Sequence, residues 1–305
     1  MELAHITFGQ IMTMVILMCA GFLCAKTDMI DDHANKKISS LLIYIVGPAL
    51  IFMSYQRPFE QEVLSGLFLA FICAAISFAV TIIASQVIYR KKGDNNYAIE
   101  RLTCVYSNCG FIGIPLVHGV FGSEGVFYIT SYLTIFNICV WSHGVIVIKG
   151  QKSSLNIIFK QVIRAPIVIG ALVGITFFLT GIILPDILAN PLNVLSSVNT
   201  PLAMIVAGVS ISRTNVKKVL TDLRIYKVSF VRLIAMPLLT ILVLSFLDIP
   251  LIIRASIAIA AACPGAAMTI ILAQKYDGDY LFASEIFAVS TLFSMITIPF
   301  VMLFV

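Results

Sequence analysis

The chain has 305 residues, 60% of them hydrophobic and only 11% charged, with a formal net charge of +5 and a mean hydropathy of +1.02. A soluble domain is about 45–50% apolar and about 25% charged, so too few polar side chains remain here to cover a water-facing surface, and lipid must cover much of it. Nucleic acid is excluded as a partner, because the basic residues stand in short clusters between apolar runs and form no continuous patch.

A hydrocarbon core about 30 Å thick takes roughly 20 apolar residues per helix. Runs of that kind lie at 6–24, 38–56, 63–88, 98–121, 125–148, 158–183, 193–212, 225–247, 253–273 and 281–304, which predicts an all-α polytopic membrane protein of ten spans. The first run lacks a basic flank and a small-residue cleavage site, so it reads as a retained span and not a cleaved signal peptide. The third is long enough to require tilt. The seventh opens with polar Asn193, Ser196, Ser197, Asn199 and Thr200 and is the least regular.

The basic residues give an independent test of the count. Lys26, Lys36 and Lys37 follow the first span; Arg90, Lys91, Lys92 and Arg101 the third; Lys149, Lys152, Lys160 and Arg164 the fifth. Arg213, Lys217, Lys218, Arg224 and Lys227 follow the seventh and Lys275 the ninth, whereas the opposite side has only Arg57 and Arg254. The positive-inside rule then places the loops after odd-numbered spans in the cytoplasm and both termini outside it, in a cytoplasmic membrane. Seven cysteines without CxxC spacing read as small apolar fillers, neither a disulfide framework nor a zinc site.

Four of the prolines inside the runs fall into two pairs. Pro48 and Pro201 stand 153 positions apart, and Pro115 and Pro264 stand 149 apart, each about half the chain. Two halves of five spans, 1–150 and 151–305, have opposite topology because five is odd, so the pattern predicts an inverted repeat. Helix breaks at matching places in inverted halves are the sequence mark of a transporter site. Asn108, Gly110, Gly113 and Pro115 in one half and Pro264-Gly265 in the other supply the small residues and breaks for a crossing at mid-membrane. Each broken helix then offers unpaired N–H groups and a positive dipole end, which attract an anion. Asn108 adds a neutral amide donor.

Few ionisable residues fall inside the spans. Arg232 reads as a substrate counter-charge, as a partner of Glu285, or as a side chain snorkelling to the interface. Glu285 pairs with it, carries a proton for coupling, or sits at headgroup level. Asn137 is expensive in mid-span unless hydrogen-bonded and suggests a substrate contact or an interhelical bond. His118 and His143 read as proton carriers or as packed or interfacial imidazoles. The spans hold no Asp pair, HExxH or GxSxG, which argues against a membrane-embedded enzyme, and no metal or cofactor is expected.

The segment Asn108-Cys109-Gly110-Phe111-Ile112-Gly113-Ile114-Pro115 resembles the broken fourth span of the auxin efflux carrier family, which includes plant auxin exporters and bacterial malate- and malonate-type permeases. Asn137-Ile138-Cys139-Val140-Trp141 is similar to that family's fifth span, Ala273-Gln274-Lys275-Tyr276 to the end of its ninth, and Ile298-Pro299 to its tenth. The resemblance implies a ten-helix inverted-repeat fold with helices 4 and 9 broken and crossing. It implies a homodimerising scaffold of spans 1, 2, 6 and 7 and a transport domain of spans 3–5 and 8–10 that moves like an elevator. It also implies a substrate carboxylate at Asn108 beside Pro115 and Pro264, with Asn137 near the cavity. The short central loop and the uncharged run 64–89 depart from the plant exporters. They favour a dicarboxylate-type anion over auxin. A sodium-coupled symporter of bile-acid type is the alternative, although 264–271 offers only Thr269 as a side-chain oxygen.

Overall fold

A computed structural model describes residues 2–90, 96–150, 155–214, 219 and 221–305. Lys91, Lys92, Lys152, Lys217 and Lys218, on which part of the orientation argument rests, lie outside the described residues. Among the described residues the chain is helical without strands. The helices are α1 (Glu2–Lys26), α2 (Asp32–Ser54), α3 (Gln61–Ile88) and α4 (Tyr97–Val105). A 41-residue helix, Cys109–Lys149, follows. Gly122, at φ 62° and ψ −152°, breaks it into α5 (109–121) and α6 (123–149). Next come α7 (Leu155–Ile163), α8 (Pro166–Thr180), α9 (Asp186–Ser212) and α10 (Leu223–Leu244). The chain ends with α11 (Leu251–Ala262), α12 (Ala267–Lys275) and α13 (Tyr280–Phe304).

Seven helices among the described residues are long and apolar enough to cross a membrane, and α8 and α11 are shorter apolar helices. The tally is below the ten expected runs for physical reasons. At 1.5 Å per residue the 41-residue helix is about 60 Å long, twice a bilayer core. The runs at 158–183 and 253–273 are each built from two short helices. The irregular seventh run is helical from Asp186 onward, and within it Ser196 Oγ donates to Leu192 O and Ser197 Oγ to Val194 O, each at 2.7 Å. Back-bonding of this kind gives a hydroxyl a partner inside an apolar helix.

Proline acts by one local device at three places. π-helical turns at Leu42–Val46, Cys109–Gly113 and Val231–Ala235 are each followed by one residue and then by Pro48, Pro115 or Pro237. The residue before each proline reaches back five positions: Gly47 N–H donates to Leu42 O, Ile114 to Cys109 O and Met236 to Val231 O. The widened turn makes room for a pyrrolidine ring that would otherwise strike the preceding carbonyl. A fourth π turn, Val140–Gly144, has no proline after it.

Glycine sets the closest packing. A Cβ on Gly208 of α9 would lie 2.0 Å from Met18 O of α1, and one on Gly21 of α1 would lie 2.2 Å from Ile205 O of α9. Similarly, a Cβ on Gly170 of α8 would lie 2.8 Å from Pro48 O of α2. Small residues let helix backbones approach where no hydrophobic effect drives them together. The remaining long helices, α3, α5, α6, α10 and α13, gather around α11 and the aromatic cluster of Phe78, Tyr106, Tyr132 and Phe136. Gly208→Val is expected to lower the melting temperature of the purified protein sharply, since the obstruction is backbone and overpacking costs about 1–3 kcal/mol or more. Gly9→Val, at a site with open space around it, is the control expected to melt like wild type.

Candidate functional site

The site begins where two helices stop. α4 ends at Val105 and Tyr106 is extended (φ −95°, ψ 112°). α11 ends at Ala262 and Cys263 is extended (φ −60°, ψ 153°). The two breaks lie against each other and exchange backbone hydrogen bonds. Asn108 N–H donates to Pro264 O at 2.7 Å, and Ala266 N–H donates to Tyr106 O at 2.9 Å. Ser107 and Gly265 thereby form an isolated antiparallel bridge. In an apolar medium each unpaired backbone group costs several kcal/mol, so a break in one helix is tolerable because the other supplies its partners. Gly265 N–H is held by Ser290 Oγ of α13 at 3.1 Å.

The fourth-span break falls at 106–108, not at Pro115. Pro115 lies beyond it, after the π turn. Pro264, in contrast, stands within its break. Gly113 and Gly265 allow the close crossing. A Cβ on Gly265 would lie 2.7 Å from Thr103 Cγ2, and one on Gly113 would lie 3.3 Å from Cys263 Sγ.

Four helix ends now meet, and they divide by charge. The carbonyl ends of α4 and α11 converge on Arg232, which is 1% exposed. Its Nη1 donates to Cys104 O at 2.8 Å and Val105 O at 3.3 Å, its Nε to Cys263 O at 3.1 Å, and its Nη2 to Ala261 O. Residues of the first turns of α5 and α12, Gly110, Phe111, Ala267 and Met268, line a cavity of about 420 Å³. Each helix end carries about half an elementary charge. Two carbonyl ends are thus matched by one guanidinium, while two N–H ends present about one unit of positive charge to the cavity.

Side chains sharpen this cavity. Asn108, Asn137, Asn199 and Ser107 line it, with Arg164 and Lys275 as its cations. Among the described residues, Asn108 Nδ2, Asn199 Nδ2 and Ser107 Oγ are buried and have no hydrogen-bond partner. Asn137 Nδ2 donates to Leu133 O at 2.8 Å, one turn back on its own helix. Lys275 Nζ stands 5.5 Å from the ring centre of Trp141, which also lines the cavity. A smaller cavity of about 190 Å³ continues along α2 and α5, with His118, Asn193 and Thr200 in its wall, and Ile114 lines both.

Of the residues singled out by sequence, Asn108 and Asn137 reach the large cavity. Gly113, Pro115, Pro264 and Gly265 belong to the crossover behind its wall. Arg232 stands deeper still, against carbonyl oxygens. Glu285 is buried on α13 at 5% exposure, away from the cavity. Among the described residues no ion pair joins it to Arg232. Sequence reasoning passed over Asn199, Arg164 and Lys275 as site residues. Asn199 is visible as an amide two positions before Pro201 in an apolar run, and the two cations read only as topology markers.

Comparison with known proteins shows the family. The profile of the family described as membrane transport protein matches residues 6–302. An uncharacterized transporter of Methanothermobacter thermautotrophicus is 26% identical over 297 residues, covering 95% of each chain. An uncharacterized transporter of Methanocaldococcus jannaschii is 25% identical over 305 residues, covering 96% of this chain and 97% of its own.

The Thr103–Gly265 contact provides a test of the crossing. Gly265→Ala should destabilise the protein by about 1–3 kcal/mol, because its new methyl meets Thr103 Cγ2. Adding Thr103→Ser, which removes that carbon and keeps the hydroxyl, should restore the melting temperature. Equal melting of the single and double variants would place the strain elsewhere.

Proposed function

We propose that this chain, which belongs to the membrane transport protein family, the auxin efflux carrier family that its crossover motif resembles, is a permease for small organic anions such as dicarboxylates. The chain is a multi-pass membrane protein of a transporter family. The observation that carries the finer reading is the pair of half-helix N-termini opening on one cavity beside the unpartnered amide of Asn108. Oriented dipoles and amide donors bind a carboxylate without the desolvation cost of a full buried cation. The ends of α5 and α12 suffice for one carboxylate, and Lys275 and Arg164 in the cavity wall suit a second.

On this reading the chain makes ten spans in two inverted halves, 1–150 and 151–305. The ten are α1, α2, α3, α4 with α5, α6, α7 with α8, α9, α10, α11 with α12, and α13. Two features support it. The fourth and ninth spans, which correspond under inversion, break against each other, while the sixth is also built of two helices. The two glycine-packed pairs, α1 with α9 and α2 with α8, exchange places when the halves are swapped. Those four spans would form the scaffold and dimer interface, and the remaining six would move past it as the transport domain. Two cavities along the boundary between α2 and α5, sharing Ile114, fit alternating access from the two sides. With the clustered basic loops inside, both termini lie outside the cytoplasmic membrane.

The test is uptake of labelled succinate into proteoliposomes, with thermal-shift titration against acetate, succinate, malate and citrate. Asn108→Ala should weaken binding by about ten- to a hundredfold, the worth of about 1.5–3 kcal/mol for a hydrogen bond to a charged group. Lys275→Gln should weaken succinate more than acetate. Unchanged affinity in Asn108→Ala would remove the carboxylate from this cavity.

A further inference from the structure

We propose that the carbonyl cluster at the crossover is a monovalent-cation site permanently filled by the protein's own Arg232. Broken membrane helices hold sodium or protons with the carbonyl oxygens at half-helix C-terminal ends. Here the carbonyl ends of two half-helices converge, from Cys104 and Val105 on one side and Ala261 and Cys263 on the other, and all four oxygens accept from one guanidinium. No ion pair to Arg232 exists among the described residues, so these oxygens are its counter-charge. Two carbonyl ends carry about one negative charge in total, which one guanidinium balances.

The residue is placed there by its own helix. Arg232 lies in the π turn Val231–Ala235 that Pro237 imposes on α10. It is fully buried among α4 and α11 and does not line the substrate cavity. A planar fork of five donors suits several carbonyls from two directions, which an ammonium on a flexible stem does not. The tethered charge stabilises both ends at once, with no cation drawn from solution. The consequence for transport, which rests on the permease reading above, is that the crossover needs no sodium and carries none across with the anion.

The experiment follows the melting of the purified protein, in chloride buffers of equal ionic strength whose cation is sodium, potassium or N-methyl-D-glucamine. Wild type should melt at one temperature in all three. Arg232→Ala opens the cage. It should melt several degrees lower in N-methyl-D-glucamine, and sodium or millimolar methylguanidinium should recover at least roughly a third of the loss, as a bound ion stabilises the folded state by mass action. Arg232→Lys should melt between the two, because it retains the charge but cannot span four oxygens. If Arg232→Ala melts identically in every cation, with methylguanidinium included, the cluster is not a cation site. If that variant yields no folded protein in N-methyl-D-glucamine, extraction in sodium or methylguanidinium should restore its folded yield, and failure to do so overturns the proposal. Sodium dependence in the wild type would also overturn it. Chloride is the sole anion throughout, so the result is independent of whether the cavity binds carboxylates.

Discussion

A backbone amide in the middle of a bilayer has no water to turn to. Interrupting a membrane helix frees several such groups, and in this protein two interruptions meet, between α4 and α5 and between α11 and α12. It solves the problem by laying the breaks side by side, so that Asn108 N–H reaches Pro264 O and Ala266 N–H reaches Tyr106 O. Everything else at the centre of the molecule follows from that exchange. Gly265 is small because Thr103 stands where its side chain would be. Ser290 is placed to hold the remaining N–H. Arg232 closes the carbonyl ends.

The same exchange sorts charge in space. The carbonyl ends of α4 and α11 meet on an interior guanidinium. Residues at the amide ends of α5 and α12 line a cavity that holds two further cations and the unpartnered amides of Asn108 and Asn199. Amide ends and cations gathered around one cavity give it a positive potential. Moderate affinity, and therefore release, is what a carrier needs. The glycine-lined seams of α1 with α9 and α2 with α8 bring those backbones close together, beside the crossover.

Much of this was legible in the chain. Composition and run length identify a polytopic membrane protein, and Asn108 with the glycines and Pro264 marks the crossing before any coordinates. The seven long helices do not match ten runs one for one, because the stretch 109–149 is one helical run although the sequence already parts it at Gly122, between 98–121 and 125–148, and two further runs are each built from short helices. Pro115 suggested a break at its own position, but a π turn absorbs it and the interruption falls at 106–108 instead. Arg232 was open to three readings because sequence shows that a charge is buried and not which carbonyls surround it. Lys275 and Arg164 looked like orientation markers. Only tertiary packing shows that the ends of α12 and α7 bring them to the cavity wall.

The central claim is that a carboxylate sits against the amide ends of α5 and α12. It is tested most directly by determining the structure of the protein with bromosuccinate and locating the bromine by anomalous scattering. The account predicts one ligand in the cavity, a carboxylate within hydrogen-bonding distance of Asn108 Nδ2 and the N–H groups of α5 and α12, and its bromine on the side of Lys275. A ligand bound elsewhere, or in this cavity with its carboxylates turned away from Asn108 and both helix ends, would contradict it.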